Sequence, residues 1–185
     1  MKTIRSPSLP PRKILGIAGS LRQASYSRAA LGAAQEPAPE GCAIEVFNLA
    51  GIPPFNQDEE DNPPARVLEL NTAVGGADAI LLVTPEYNYS IPGVLKNAID
   101  WTSRRMAIAP GKGNGSRSWA ASVGVHGSAR AHYHLRQCFA FLNMHAVNRP
   151  EVMIAHASEK FDGQGKLTDE KARELIRHLL EALPR

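Results

Sequence analysis

The chain has 185 residues, of which 43% are hydrophobic and 21% charged, with a formal net charge of +3. That length suits one α/β domain with a sizeable apolar core, and the ordinary globular composition excludes disordered and fibrous classes. No apolar run approaches the roughly 20 residues that cross a bilayer. The mild positive charge favours anionic ligands such as nucleotides, and it lacks the basic stripe with interleaved aromatics that points to nucleic acid.

Residues 1–12 are basic and proline-containing, with no apolar stretch or cleavage pattern after them. They read as a flexible tail, and the protein is expected to be cytoplasmic. Lys13 to Ala18 reads as a short buried strand, stopped by Gly19-Ser20. Helical spacing runs from Ser27 to Gln35 and ends at Pro37. A second strand, Ala43 to Leu49, precedes a proline-rich loop with Pro53-Pro54 and Pro63-Pro64. Helical pattern returns from Ala65 to Val74, with Gly75-Gly76 as the stop.

Ala79 to Thr84 is apolar on both faces, as a central parallel strand covered by helices must be. A loop, Pro85 to Ser90, leads to a helix starting near Pro92, a residue suited to a first helical turn. After a glycine-rich turn, Pro110 to Gly115, the stretch Trp119 to Val125 reads as the fourth strand. A helix from Ala129 to Leu142, a fifth strand from Ala146 to Val152 and a closing helix from Thr168 to Leu183, capped by Thr168-Asp169, complete the pattern. Strands alternating with helices imply parallel pairing and right-handed crossovers. The expectation is one domain over residues 1–185, a flavodoxin-like three-layer sandwich with a five-stranded parallel sheet in the order 2-1-3-4-5. Its ligands would bind at the carboxyl strand ends where strand order reverses.

Three loops leave that end. The first, Gly19-Ser20-Leu21-Arg22-Gln23-Ala24-Ser25-Tyr26-Ser27, joins a strand to a helix N-terminus, where free N–H groups and the helix dipole attract anions. Ser20, Ser25 and Ser27 add hydroxyls and Arg22 a guanidinium, donors suited to a terminal phosphate. The segment has no P-loop lysine, and Arg22 follows Gly16 and Gly19 where a dinucleotide fingerprint needs a third glycine. A serine-rich helix cap without a ligand stays open as an alternative. The second loop, Thr84 to Gly93, offers backbone amides and two aromatic rings, or else a rigid turn with structural aromatics. In the third, Ser122 to Arg130, glycines permit close approach to a ligand and Ser128 is placed to cap the next helix.

Cys42 and Cys138 match no metal-ligand spacing and read as structural thiols. His132 and His134 flank Tyr133 on a helix where such neighbours do not face each other. The acidic run Asp58-Glu59-Glu60-Asp61 reads as a solvated face. No metal is expected.

Two blocks are recognisable. Gly19-Ser20-Leu21-Arg22-x-x-Ser25 and the run from Pro85-Glu86-Tyr87-Asn88-Tyr89-Ser90 through Pro92-Gly93 to Leu95-Lys96-Asn97-Ala98-Ile99-Asp100-Trp101 resemble the NADPH-dependent FMN reductase family. Gly127-Ser128-Ala129-Arg130 and Tyr133-His134-Leu135-Arg136-Gln137 are similar to its chromate and quinone reductases. The resemblance implies noncovalent FMN, with NADPH or NADH as electron donor. Ser20, Arg22, Ser25 and Ser27 would hold the phosphate, although many relatives have asparagine where Ser27 stands. Pro85, Glu86, Tyr87 and Asn88 would border the isoalloxazine, mainly through backbone. Ser122, Gly124 and Gly127 would lie along its pyrimidine side.

The resemblance also implies a homodimer or homotetramer, with Arg130, Tyr133 and Glu151 at subunit boundaries. Hydride would pass through flavin N5 to quinones, chromate, azo compounds or similar acceptors, with no acid–base side chain required. Arg104, Arg105, Lys112 and Arg117 are candidates for the 2′-phosphate of the donor. The alternatives are a flavodoxin-like electron carrier and a non-catalytic flavin-binding regulatory protein.

Overall fold

The structure, a computed structural model, describes residues 11–36, 38–39, 41–108, 119–125 and 128–183, with backbone alone at 105–108 and 119–125. β1 (Arg12–Ala18) is followed by α1 (Tyr26–Gln35), β2 (Cys42–Phe47), α2 (Ala65–Gly75), β3 (Ala79–Thr84) and α3 (Gly93–Ile108). β4 (Trp119–Val125), α4 (Ala129–Phe141), β5 (His145–Ala146), β6 (Val152–Ile154), α5 (Ala157–Lys160) and α6 (Glu170–Glu181) complete the order. A 3-10 turn at Gln57–Glu59 and the short α5 had no counterpart in the sequence pattern.

Successive strand residues point to opposite faces, and β1 and β3 are apolar at nearly every position. Each therefore feeds two cores. Ile14, Leu81 and Val83 face one core with Leu31 of α1 and Ile176, Leu179 and Leu180 of α6. Leu15, Ile17, Ile80 and Leu82 face the other, with Leu70 of α2, Leu95 of α3 and Leu135 of α4. Gly16 lets α1 approach, because a Cβ there would lie 2.7 Å from Leu31 Cδ1. The result is a flavodoxin-like α/β fold of helix, sheet and helix layers.

All strand pairings are parallel, and the sheet runs β2-β1-β3-β4-β5, with β6 also on β4. Among the described residues it has six strands where five were expected, because the fifth position is divided. β5 pairs with the start of β4 and β6 with its end, while the chain between them, 147–151, leaves the sheet. Pro150 has no N–H to give a ladder, so it breaks the run read as one strand from Ala146 to Val152. Arg136 holds the excursion by donating to Asn148 Oδ1 at 2.8 Å and to Val147 O at 3.1 Å.

Arg12 belongs to β1 rather than to a tail. Its Nη2 donates to Leu180 O at 3.0 Å and to Cys42 Sγ at 2.9 Å, and Nη1 donates to Leu183 O. The guanidinium thus receives the open carbonyls at the end of α6. At the start of α6, Asp169 is the cap, accepting from Ala172 N at 2.7 Å, while Thr168 Oγ1 turns to Lys160 O at 3.1 Å.

The proline-rich loop is fixed to α3. Asn97 donates through Nδ2 to Pro53 O at 2.8 Å and accepts from Phe55 N at 2.7 Å. Trp101 Nε1 donates to the same carbonyl at 2.9 Å, and its ring meets Phe55 edge-on with centroids 5.0 Å apart.

Candidate functional site

Register places the site-bearing loops side by side. Ala18 of β1 lies beside Val83 of β3, and Thr84 lies beside Gly124 of β4, so the segments after these strands leave the same sheet end. Gly19 N–H donates to Val83 O at 2.8 Å, drawing the first loop against β3. A Cβ at Gly19 would meet Thr84 Oγ1 and Leu95 Cδ2 at 3.2 Å each. Glycine is what allows the two loops to touch.

In the first loop, Ser25 has extended backbone and its Oγ accepts from Ser27 N at 3.1 Å, which makes it the N-cap of α1. Ser20 is buried, and its Oγ lies 3.4 Å from the Tyr87 hydroxyl of the second loop. Ser27 is also buried. Arg22 is exposed and has no ion-pair partner among the described residues. The remaining first-turn amides of α1, three serines and a free guanidinium form a donor set of the right chemistry for a phosphate. The expected residues Ser20, Arg22, Ser25 and Ser27 are thus brought together, with the hydroxyls inside and the cation outside.

The second loop is a tight hairpin. Tyr87 and Ser90 exchange backbone hydrogen bonds at 2.9 and 3.0 Å. Between them Asn88 and Tyr89 have φ of 48° and 67°, the pair of left-handed residues that defines a type I′ turn. Asparagine tolerates that region; a tyrosine there costs about 1–2 kcal/mol. Tyr87, Asn88 and Tyr89 are exposed, while Pro85 and Glu86 are half-buried.

Glu86 was expected to act through its backbone, yet its side chain has a partner of its own. Arg130 Nε, on the first turn of α4, donates to Glu86 Oε1 at 2.5 Å. The guanidinium also lies 3.7 Å over the Tyr89 ring. One turn further along, His134 Nδ1 is 2.9 Å from Ser90 Oγ. Glu86 and Ser90 are four residues apart, as are Arg130 and His134, so hairpin and helix meet in step. Ser128 does not cap α4 with its side chain; its Oγ donates instead to Thr84 O at 3.3 Å. These links across 44 residues left no local sign in the sequence beyond opposite charges on Glu86 and Arg130.

The Arg130 guanidinium holds the Glu86 carboxyl below the usual carboxylate range, against the opposing pull of desolvation. A depressed folded value means the pair stabilises the fold above the ordinary carboxyl pKa, about 4.3. The contribution is lost as pH falls through the lower folded value. The urea midpoint of the wild type should therefore drop more steeply between about pH 5 and 3 than that of Glu86→Gln. Parallel pH profiles of the two proteins would contradict this.

Ser122 and Gly124 lie on β4 opposite Leu82 and Thr84, and Gly127 lies outside the described residues. Of the 2′-phosphate candidates, Arg104 is engaged, 3.4 Å from Glu60 and 5.0 Å over the Phe55 ring. Arg105 is in α3, while Lys112 and Arg117 lie outside the described residues. Glu60 draws the acidic run into that ion pair, and the described residues hold no group of side chains suited to a metal. Cys138 is half-buried in a groove of about 680 Å³ between α3 and α4, and burial pushes its thiol up. A thiol so raised stays protonated and unreactive at neutral pH. Among the residues expected at subunit boundaries, Glu151 lies 3.7 Å from Arg136, and Tyr133 is exposed.

Known proteins resemble this architecture closely. The family described as NADPH-dependent FMN reductase matches residues 12–159. An NAD(P)H-dependent FMN reductase of Pseudomonas aeruginosa is 51% identical over 173 residues, 92% of either chain. An NAD(P)H:quinone oxidoreductase of Solanum tuberosum is 40% identical, over 94% of this chain and 92% of its own. Among solved structures, the flavoenzyme NAD(P)H:(acceptor) oxidoreductase FerB of Paracoccus denitrificans superposes with a TM-score of 0.78. It is 29% identical, with coverage of 93% of this chain and 94% of that one.

Proposed function

The chain belongs to the NADPH-dependent FMN reductase family, and from that premise we propose that it reduces quinones, with chromate and azo compounds as further acceptors. It is an oxidoreductase of the FMN reductase and quinone reductase type, with FMN as cofactor and NAD(P)H as donor. The observation that carries the acceptor reading is the meeting of the first two loops beside β4. An anion-binding helix start stands there next to an exposed, aromatic hairpin.

When bound, FMN supplies an N5 atom that takes hydride and a route for two electrons between donor and acceptor. The chain supplies place and charge. Ser20, Arg22, Ser25 and Ser27, with the amides of α1, would hold the phosphate without a covalent bond. The backbone of Pro85, Glu86, Tyr87 and Asn88 would border the ring, and Ser122 and Gly124 would follow its pyrimidine side. The exposed hairpin leaves room for donor and acceptor to use one face in turn.

The described residues form a single flavodoxin-like domain whose strand positions follow 2-1-3-4-5 when β5 and β6 share one position. It works in the cytoplasm as a homodimer or homotetramer. Exposed Tyr133 and Phe141 on α4 support such an assembly, with Arg130 and Glu151 at its edge. The described helices include none long and apolar enough to cross a membrane.

The purified protein should be yellow, or turn yellow with added FMN, and oxidise NADPH or NADH continuously when benzoquinone is present. Binding of FMN without turnover would make it an electron carrier or a flavin-binding regulator. Failure to bind FMN would overturn the reading altogether.

A further inference from the structure

We propose that Glu86 and Arg130 are positioning residues, whose pairing clamps the 87–90 turn against α4 and so fixes the edge along which the flavin ring lies. The inference rests on the FMN reading above, and neither side chain need touch the ring.

An exposed ion pair alone would carry little, because water screens it and two long side chains must be ordered. This pair differs in its surroundings. The Glu86 side chain is only 10% exposed, while that of Arg130 is 53% exposed. Oε1 takes Arg130, and Oε2 is buried without a hydrogen bond of normal geometry. The amides of Arg130 and Ala131 still lie near enough to favour the carboxylate. They belong to the start of α4, where Ser128 provides no side-chain cap. A carboxylate from the hairpin thus stands at the positive end of the helix.

The same guanidinium covers Tyr89, the residue held at φ 67°. An aromatic residue in the left-handed region is rare and persists where surrounding contacts over-determine it. Stacking of the cation on the ring and its bond to Glu86 grip the turn on both sides. The His134–Ser90 contact closes the far end. Three hairpin positions, Glu86, Tyr89 and Ser90, are therefore held by α4, and the backbone of 86–88 cannot shift without opening the pair.

The test is FMN binding to apo-protein, followed by flavin fluorescence, for wild type, Glu86→Ala, Arg130→Ala and the double variant. Each single change should weaken FMN about tenfold, and the double no further, as expected for two residues acting through one contact. At saturating FMN the visible band of the bound flavin should change in both single variants. Tyr89→Gly in the Arg130→Ala background should restore part of the affinity, because glycine adopts positive φ without a clamp. A residue serving only general stability would show no such rescue.

If the alanine variants fail to fold, Glu86→Gln and Arg130→Lys carry the same comparison. Single variants with wild-type affinity and spectrum would overturn the proposal, as would effects that multiply in the double. A loss confined to Arg130→Ala that follows subunit dissociation by light scattering would also overturn it. A wild type that binds no FMN fails the FMN reading itself, and the proposal falls with it.

Discussion

Arg22→Ala should weaken FMN binding by about 10- to 150-fold while leaving the fold intact. The range follows from the 1.5–3 kcal/mol typical of a hydrogen bond to a charged group, converted at 1.4 kcal/mol per tenfold. Arg22 is exposed and lacks an ion-pair partner among the described residues, so its removal strands no buried group. Thermal stability without ligand should accordingly move by less than about 0.5 kcal/mol. Ser25→Ala makes the useful contrast, because Ser25 caps α1. Its loss should lower stability by about 1 kcal/mol as well as weakening FMN. Raising salt should shrink the Arg22 effect, since an exposed cation is screened. Calorimetric titration of apo-protein decides the matter, and equal affinity in wild type and Arg22→Ala would remove Arg22 from the phosphate site.

Leu81→Ala should destabilise the protein by about 3–5 kcal/mol, the range for truncating a buried leucine whose cavity cannot collapse. Leu81 is completely buried at the middle of β3. It lies opposite Gly16 on one side and Ala121 on the other. Small neighbours in the sheet give the surroundings little side chain with which to refill the space. At roughly 2–4 °C per kcal/mol for a chain of this size, the melting temperature should fall by about 10 °C. Urea unfolding provides the check, and a loss below about 1 kcal/mol would mean that helices on that face close over the gap. FMN affinity of the folded fraction should change little, because Thr84 lies a full turn of the pleat beyond the deletion.

Much of the sandwich could be read from sequence because burial on both faces leaves continuous apolar runs. Ala79 to Thr84 appears at its expected bounds for that reason, and Trp119 to Val125 keeps its expected bounds as well. Ser25 and Asp169 announce helix starts through local chemistry that needs no distant partner. The fifth strand was misread as one run although Asn148, Arg149 and Glu151 interrupt its apolar residues and Pro150 breaks the ladder. The side-chain partners of Arg12 and Glu86 were missed for another reason. Each residue looks like an ordinary surface charge until the fold brings up a helix end more than 40 residues away. Sequence patterns record which face of an element is wet, not which charge will meet which carbonyl. The helix start after β1 was therefore legible, while the clasp on the second loop was not.

The grip of Arg12 on the end of α6 also bears on how the chain folds in time. β1 is the first of the described strands; β2 pairs with it from Cys42, yet its other partner begins only at Ala79, and the carbonyls its arginine binds come about 170 residues later. α6 supplies Ile176, Leu179 and Leu180, which complete one of the two cores. Until that helix arrives, α1 alone covers that side of the central strands, and part of their apolar surface stays bare. Contacts so distant along the chain are slow to form, because a long loop must close before any of them contributes. Before α6 is made, the nascent protein therefore has one of its two cores incomplete, the state in which chaperones and aggregation compete for it.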